Sequence, residues 1–203
     1  MPLFIFISGW LLMGNTRSAG VYIRRRGIRL LIPYFVLSIA AFLPKILIQQ
    51  FLNDSVEFSL WHLIVTELVP RANVWGHFWY IPVIFILGCV GVLLQKLLKK
   101  HHAACWFILA ATYLLLFVPQ TTDWFALEDL RKNAFYFILG MTASNWSFSA
   151  SALTSRLWLL AFPGAFVLFR MADGVLSDSL IACLMIGFVL HIGTRLKTDS
   201  FRL

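Results

Sequence analysis

The 203-residue chain is far more apolar than a water-soluble domain: 60% of its residues are hydrophobic and 13% are charged. A soluble domain carries about 45–50% apolar and about 25% charged residues, because polar side chains have to cover its core. The composition therefore excludes a soluble enzyme, a disordered tail and a disulfide-stapled secreted module. It predicts a polytopic membrane protein, while the net charge of +8 leaves the kind of partner to be decided by where the charges lie.

Seven apolar runs follow one another along the chain, each bounded by charge or by Gly, Asn, Asp and Ser. A helix needs about 20 apolar residues to cross a bilayer. The runs predict an all-α transmembrane bundle of about seven spanning helices, forming one domain over residues 1–203 with no sizeable soluble domain. The last three runs are short and need flanking polar residues to complete a span. The seven runs are 2–13, 30–52, 77–94, 103–119, 134–148, 157–169 and 180–193.

The charge of the connections alternates in sign along the chain. Twelve of the 17 Lys and Arg residues lie in loops 14–29, 95–102 and 149–156 and in the tail 194–203, and eight of the nine acids lie in the other connections. Cytoplasmic connections of membrane proteins collect Lys and Arg. The pattern thus predicts that these four basic segments are cytoplasmic. The excess of basic residues then indicates how the helices are oriented in the membrane, and a nucleic-acid partner is not expected.

Several polar and sulfur-bearing residues lie inside the apolar runs. Cys89, Cys105 and Cys183 are expected to be packed side chains outside any disulfide framework. Gly9, which follows Ser8 in the first run, is interpreted as a helix-packing residue in preference to a substrate-accessible one. The five histidines show no metal-ligand spacing, so no metal site is predicted.

A histidine and an aromatic cluster mark the start of the third run. An imidazole titrates near neutral pH and aromatic faces stack on sugar rings, so the histidine is a candidate general base or sugar-contacting group within a candidate substrate-contacting surface. An interfacial histidine without any role is the alternative, and the residues alone leave it open. The candidates are His77, Trp79 and Tyr80.

An arginine cluster precedes the second run. On a helix, Arg26 and Arg29 at i, i+3 and Arg25 and Arg29 at i, i+4 share a face. Guanidiniums on one face offer bidentate sites for phosphate oxygens. Anchoring to anionic lipids is an equally good interpretation from the residues alone. Lys45, 16 residues or about 24 Å further along such a helix, is expected near the other headgroup layer, with an inward-facing role as the alternative.

Four segments of the chain carry a recognisable pattern in this order: PLFIFISGWL at 2–11, YIRRRGIRLLIPY at 22–34, GHFWYIP at 76–82 and FYFILGM at 135–141. Together they resemble acyltransferase family 3. Members of that family are bacterial integral-membrane enzymes that typically O-acetylate surface polysaccharides or lipid-linked sugars. The resemblance implies a multi-pass protein of the cell inner membrane, with acetyl-CoA as the acyl donor, a carbohydrate acceptor and no bound cofactor.

The resemblance also implies roles for individual residues. Arg26 and Arg29, with Arg25 beside them, would hold the acyl-CoA on the cytoplasmic side, and His77 and Trp79 would lie near the carbohydrate acceptor, with Tyr80 beside them. The family's presumed catalytic histidine lies on a helix that would precede Met1. The last helices of the family would likewise follow Leu203. We therefore expect this sequence to lack the first and last family helices and to be part of a longer protein, and we assign no catalytic residue within it. The first run, about 18 Å long as a helix, supports the same expectation.

Two other interpretations stay open at this point. The first is an inactive fragment or a non-enzymatic membrane subunit, since the expected catalytic histidine is not within the sequence. The second is a transporter of lipid-linked sugars, for which inverted repeats with interrupted helices would be typical. The sequence shows no internal repeat.

Overall fold

The computed structural model of the chain describes residues 1–48, 69, 79–119, 126–145, 160–171 and 174–200. Within these ranges the chain forms seven α-helices and one short 3-10 helix, and no strand, which confirms the predicted all-α class. The helices are α1 (Pro2–Met13), α2 (Ala19–Ile48), α3 (Tyr80–Lys100), α4 (His102–Leu114), the 3-10 helix Leu115–Phe117, α5 (Leu127–Asn145), α6 (Ala161–Met171) and α7 (Val175–Ser200).

Each predicted apolar run overlaps one of these helices, but several helices extend into the polar flanks. Residues 19–29 belong to α2, so the prediction of a loop over 14–29 is wrong for most of that segment. Residues 95–100 belong to α3, and α7 continues to Ser200, well into the predicted tail 194–203. Arg and Lys are good helix formers, so a change from apolar to basic residues does not end a helix.

Among the helices that the structure describes, two are long and apolar enough to cross a membrane. They are α3 and the Val175–Ile192 part of α7, with mean hydropathies of 2.3 and 2.1. Two shorter apolar stretches, Pro2–Met13 and His102–Phe117, are below the length of a complete span. The prediction of about seven spans stays a prediction.

Helix α1 packs against α3, α5 and α7, and its contact with α5 is the most extensive in the described part of the chain. Helix α2 packs on α3, and α6 packs on α7. Large apolar side chains from α1, α3 and α5 pack against one another in this core, where close van der Waals contact stabilises the bundle. The buried core includes Ile5, Phe6, Leu12, Val83, Leu87, Phe137 and Met141.

Helices α1 and α5 cross backbone to backbone at two glycines. A Cβ atom added to Gly9 would lie 2.1 Å from the carbonyl oxygen of Phe137. A Cβ atom added to Gly140 would lie 2.0 Å from the carbonyl oxygen of Phe6. Close approach of this kind is possible only where both helices carry hydrogen in place of a side chain. The interpretation of Gly9 as a packing residue is confirmed.

Helix α3 joins the same contact through a third glycine. A Cβ atom added to Gly91 would lie 2.6 Å from Leu12 Cδ2 and 2.6 Å from Phe137 Cε1. The three helices therefore meet at this point, where Leu12 of α1 and Phe137 of α5 fill the space that a side chain at Gly91 would occupy.

A buried glutamine on α3 caps the end of α1. The Nε2 atom of Gln95 donates hydrogen bonds to the carbonyl oxygens of Leu12 and Met13, both at 3.1 Å, and of Asn15, at 2.9 Å. The last carbonyls of a helix have no partner within the helix. Gln95 is 6% exposed, so its amide supplies these carbonyls with a donor where water does not reach.

An asparagine at the end of α5 makes a similar contact with α3. Asn145 Nδ2 donates to the carbonyl oxygen of Leu98 at 2.9 Å, and the thiol of Cys105 also contacts that oxygen at 3.4 Å. All three cysteines are free thiols; Cys105 is fully buried, as a packed side chain should be, whereas Cys89 and Cys183 are half-buried.

These two amides show that α1, α3 and α5 run in the same direction. Gln95 lies near the end of α3 and reaches the end of α1, and Asn145 at the end of α5 reaches Leu98 near the end of α3. The C-terminal ends of the three helices therefore lie together. The alternating loop charges predict this direction for the first, third and fifth runs.

Candidate functional site

Two cavities lie where α1 ends and α2 begins. The smaller one, which we call the arginine cavity, has a volume of about 220 Å³ and is lined by Arg17, Tyr22, Arg25, Arg26, Arg29 and Leu30. The larger one, of about 430 Å³, shares Arg17, Tyr22 and Arg26 with it and extends to Ser8 on α1. The structure thus brings together the three arginines that the sequence predicts as a phosphate site.

Arg26 is the inward-facing member of this cluster. Its Nη1 donates a hydrogen bond to the hydroxyl of Tyr22, and its Cζ lies 5.5 Å from the centre of the Tyr22 ring. An arginine against an aromatic ring is stabilised by a cation–π interaction. Arg25 and Arg29 are exposed, so the three arginines present one fixed and two adjustable guanidinium groups.

Helix α3 holds the Arg26 side chain from the other side. A Cβ atom added to Gly88 would lie 3.0 Å from Arg26 Nε, so the guanidinium packs directly on the backbone of α3. The Nε atom is buried and has no hydrogen-bond partner among the residues that the structure describes. A buried donor without a partner costs free energy. Arg26 is thus held in place at some cost to the fold.

The turn between α1 and α2 fixes a fourth arginine. Asn15 Nδ2 donates to the carbonyl oxygen of Arg17 at 3.1 Å, and the Arg17 amide donates to Asn15 Oδ1 at 3.3 Å. Side-chain turns of this kind are typical of asparagine. Arg17 lines both cavities, although the sequence marks it only as one of the basic residues of the first connection.

A third cavity lies at the N-terminal ends of the odd-numbered helices, and we call it the N-terminal cavity. Its volume is about 340 Å³. Residues from α1, α5 and α7, from the start of α3 and from the 3-10 helix line it, which agrees with the shared direction of α1, α3 and α5. The lining residues are Pro2, Trp79, Leu116, Asp129, Arg131, Lys132, Asn133, Tyr136, Val175, Asp178 and Ser179.

One of the three predicted substrate-contacting residues lines this cavity. Trp79 does so, whereas Tyr80 is exposed and is not among the described lining residues. His77 lies outside the residues that the structure describes, and so does the side chain of Lys45. Within the described ranges, no group of three or more His, Cys, Asp or Glu side chains could hold a metal ion.

The sequence does not single out the acidic and amide residues of the N-terminal cavity. Asp129 and Asp178 enter the sequence argument only as charges of the acidic connections. The spacing of three of these residues could have shown that they lie together: Asp129, Asn133 and Tyr136 follow the i, i+4, i+7 pattern of one helix face. That spacing crosses the predicted start of the fifth run, so these residues are divided between a loop and a helix.

An ion-pair network borders the N-terminal cavity. Arg131 makes a bidentate contact with Glu128, with Nη2–Oε1 and Nε–Oε2 distances of 2.6 and 2.8 Å, and Lys132 Nζ lies 3.0 Å from Oε1. Arg131 Nη1 also donates to the carbonyl oxygens of Leu115 and Leu116 at 2.5 and 2.9 Å. The network therefore ties the start of α5 to the end of the 3-10 helix.

This network makes the stability of the protein depend on pH. The hydrogen bond from Arg131 lowers the pKa of Glu128 from 4.5 to about 2; burial opposes this shift and Lys132 adds to it. A carboxyl with a lowered folded-state pKa stabilises the fold above its unfolded pKa, and this stabilisation is lost as the pH falls through the folded pKa. Between about pH 4.5 and about pH 2, the Glu128 contribution should therefore disappear.

We expect Glu128→Gln to remove that pH-dependent contribution. Lys132 is half-exposed, so solvent weakens its part of the interaction. We therefore expect the free energy of unfolding at neutral pH to fall by on the order of 2 kcal/mol. Thermal unfolding of the purified protein in detergent micelles, at neutral pH and near pH 3, measures it. Lys132→Gln is the matched control and should have a smaller effect. Wild-type protein and Glu128→Gln with the same pH dependence would contradict the expectation.

The match of a family profile over the chain identifies it as an acyltransferase. The profile is that of acyltransferase family 3, described as an acyltransferase domain, and it matches residues 1–202. The chain belongs to this family, and the resemblance of the four sequence segments is confirmed. Searches of the curated proteins and of the solved structures gave no significant match. The family is generally one of integral-membrane proteins, which agrees with the two helices that could cross a membrane.

Proposed function

We propose that the protein is an O-acyltransferase of the cell inner membrane, which moves an acetyl group from acetyl-CoA to a hydroxyl of a cell-surface or lipid-linked carbohydrate. The observation that carries this proposal is the convergence of Arg17, Arg25, Arg26 and Arg29 on one cavity in a chain of this family. Coenzyme A carries a pyrophosphate and a ribose phosphate. Several guanidiniums around one cavity supply the bidentate donors that such phosphates bind best.

The distribution of charge supports a cytoplasmic position for the arginine cavity. Lys99 and Lys100 lie in the last turn of α3, at the same end of the bundle as the end of α1 and the arginines that follow it. Basic residues gather on the cytoplasmic side of membrane proteins, where acetyl-CoA is available. The basic segments 14–29, 95–102, 149–156 and 194–203 are cytoplasmic in this proposal.

The outward-facing surface of the helices supports a position in the bilayer. Large apolar side chains are exposed on α1 and α4, among them Phe4 at 69%, Leu11 at 69% and Phe107 at 77%. An exposed apolar surface of this extent is costly in water and favourable against lipid. In this proposal α1 to α7 form a multi-pass bundle with the arginine cavity and the N-terminal cavity facing opposite sides of the membrane.

The chemistry of the proposed reaction is the transfer of an acyl group between oxygen and sulfur. The acceptor hydroxyl oxygen attacks the thioester carbonyl, the C–S bond breaks, and CoA leaves as the thiol after taking up the hydroxyl proton. A base has to accept that proton during the attack. In the family resemblance this base is a histidine, and we propose no residue of this chain for the role.

The experiment that tests the proposal removes two arginines together. In the full chain reconstituted into lipid nanodiscs, Arg26→Ala with Arg29→Ala should weaken the binding of coenzyme A at least about tenfold, because each guanidinium–phosphate contact is worth about 1.5–3 kcal/mol. Calorimetry with coenzyme A measures binding, and release of the CoA thiol from acetyl-CoA in the presence of methyl glycosides measures transfer.

The matched control is Arg24→Ala. Arg24 is exposed, lies on the same helix and is not among the described residues that line the arginine cavity. It should leave coenzyme A binding unchanged. If the double variant and the control bound coenzyme A with equal affinity, Arg26 and Arg29 would have no role in donor binding. If the wild-type chain did not bind coenzyme A, a non-enzymatic membrane subunit would be favoured.

A further inference from the structure

The N-terminal cavity has the size and the lining of a small-molecule site. Its volume of about 340 Å³ falls within the range of about 300–1,000 Å³ that is usual for ligand pockets. Three separate parts of the chain bring polar or aromatic side chains to it: Trp79, the residues Asp129 to Tyr136 on α5, and Asp178 and Ser179 on α7. A cavity built from several helices is positioned by the packing of the whole bundle.

The polar groups of this cavity differ in their exposure. Asp129 is 2% exposed, and Asn133 Nδ2 donates to its backbone carbonyl oxygen at 2.7 Å. Ser179 is also buried and donates its hydroxyl to the carbonyl oxygen of Leu176 at 2.9 Å, which leaves the lone pairs of that hydroxyl as acceptors. Asp178 is exposed. The cavity thus presents one buried and one exposed carboxylate together with the Ser179 hydroxyl and the Tyr136 phenol.

The charge of the cavity favours a ligand that donates hydrogen bonds and carries no negative charge. Arg131 and Lys132 also line it, but both are engaged by Glu128. With Asp129 and Asp178, these five groups sum to a net charge of −1. A carboxylate accepts hydrogen bonds and repels anions, and the ring of Trp79 offers an apolar face.

We propose that the N-terminal cavity binds a neutral sugar unit of the acceptor. Asp129 and Asp178 accept hydrogen bonds from sugar hydroxyls, and Trp79 covers one face of the sugar ring. This inference rests on the proposed function and extends it, because it names the acceptor-binding residues and excludes acidic sugars such as uronates as preferred acceptors. Asp129 and Asp178 are substrate-binding residues in this proposal, and they take no part in the transfer of the proton.

The test compares acceptor and donor kinetics in carboxylate variants of the full chain in lipid nanodiscs. Asp178→Asn and Asp129→Asn should each raise the acceptor KM about tenfold and leave the KM for acetyl-CoA unchanged, because a hydrogen bond to a charged group is lost at one substrate only. Ser177→Ala is the control: Ser177 lies in the same turn of α7, bonds to Gly174 at 2.7 Å and does not line the cavity.

A direct binding measurement separates this inference from the proposed function. Saturation-transfer NMR with the methyl glycosides of glucose, galactose, mannose and rhamnose should show binding to wild-type protein, weaker binding of methyl glucuronide, and loss of binding in Asp178→Asn. If acetyl transfer occurs and both variants keep the wild-type acceptor KM, the inference is overturned and the function stands. If no transfer occurs, the NMR measurement tests the inference. Loss of glycoside binding in Asp178→Asn supports it, whereas unchanged binding in that variant, or no signal from any neutral glycoside with wild-type protein, overturns it.

Discussion

Gly9→Ala is expected to destabilise the protein by about 3 kcal/mol, a large fraction of the stability of most folds. The added methyl group would lie 2.1 Å from the Phe137 carbonyl oxygen, so α1 and α5 would have to move apart. A flexible side chain could rotate away, but a helix carbonyl cannot. Gly140→Ala should cost a similar amount, since its methyl group would lie 2.0 Å from the Phe6 carbonyl oxygen. Once one variant has separated the helices, the second should cost less, so the two effects should not add.

Two other glycines provide matched controls for this expectation. Gly20 and Gly164 also lie in helices, and a Cβ atom at either position would have no neighbour within 4 Å. Alanine is favoured over glycine in a helix by about 1 kcal/mol, so Gly20→Ala and Gly164→Ala should be neutral or stabilising. Chemical unfolding in detergent micelles, followed by circular dichroism, measures all four variants. Equal losses at Gly9 and Gly20 would show that the close crossing does not determine stability.

Gln95→Leu is expected to have the second large effect, about 2–3 kcal/mol of lost stability. Leucine keeps much of the volume but removes the amide donor from the carbonyls of Met13 and Asn15, while the Leu12 carbonyl keeps its hydrogen bond from the Asn15 backbone amide at 2.9 Å. Buried acceptors without a donor cost about 1–3 kcal/mol. Gln95→Glu should be at least as damaging, because it would place a negative charge beside carbonyl oxygens.

Gln95→Leu should also weaken the binding of coenzyme A at the proposed donor site, the arginine cavity. Gln95 holds the carbonyl of Asn15, and Asn15 fixes the turn that carries Arg17 into the arginine cavity. Unfolding measurements and coenzyme A calorimetry on the same samples test both effects. Lys96→Ala is the control, since Lys96 is the exposed neighbour of Gln95. An unfolding midpoint unchanged by Gln95→Leu would mean that water or another donor replaces the amide.

The parts of the fold that local signals determine are predictable from the sequence. The predicted apolar run 2–13 coincides with α1, and Gly14, which follows the last apolar residue, marks the end of the helix. The start of α2 is missed, because the second apolar run begins only at residue 30. The limit of an apolar run shows where the chain leaves the hydrocarbon layer, and the helix itself continues beyond that limit. The arginines that share the helix face are found because their spacing is local.

The parts that depend on contacts between distant segments are not predictable in this way. Gln95 is the clearest example, since its partners lie 80 to 83 residues away and nothing near Gln95 in the sequence marks it. The same holds for Asp129 and Asp178, which lie on different helices and meet only at the cavity. Trp79 is found because its neighbourhood is conspicuously aromatic. The role of each of these residues in binding stays a prediction.

The glycine crossing restricts any route along which the acyl group could travel between the two ends of the bundle. At Gly9 and Gly140 the backbones of α1 and α5 are in contact, and Leu12 and Phe137 fill the side toward Gly91 on α3. The gap there admits no water molecule, and still less a thioester. A passage through the protein would therefore have to avoid the line where α1 and α5 touch. On the arginine side, the larger basic cavity reaches α1 at Ser8, Leu11 and Leu12 and so ends beside this closed contact.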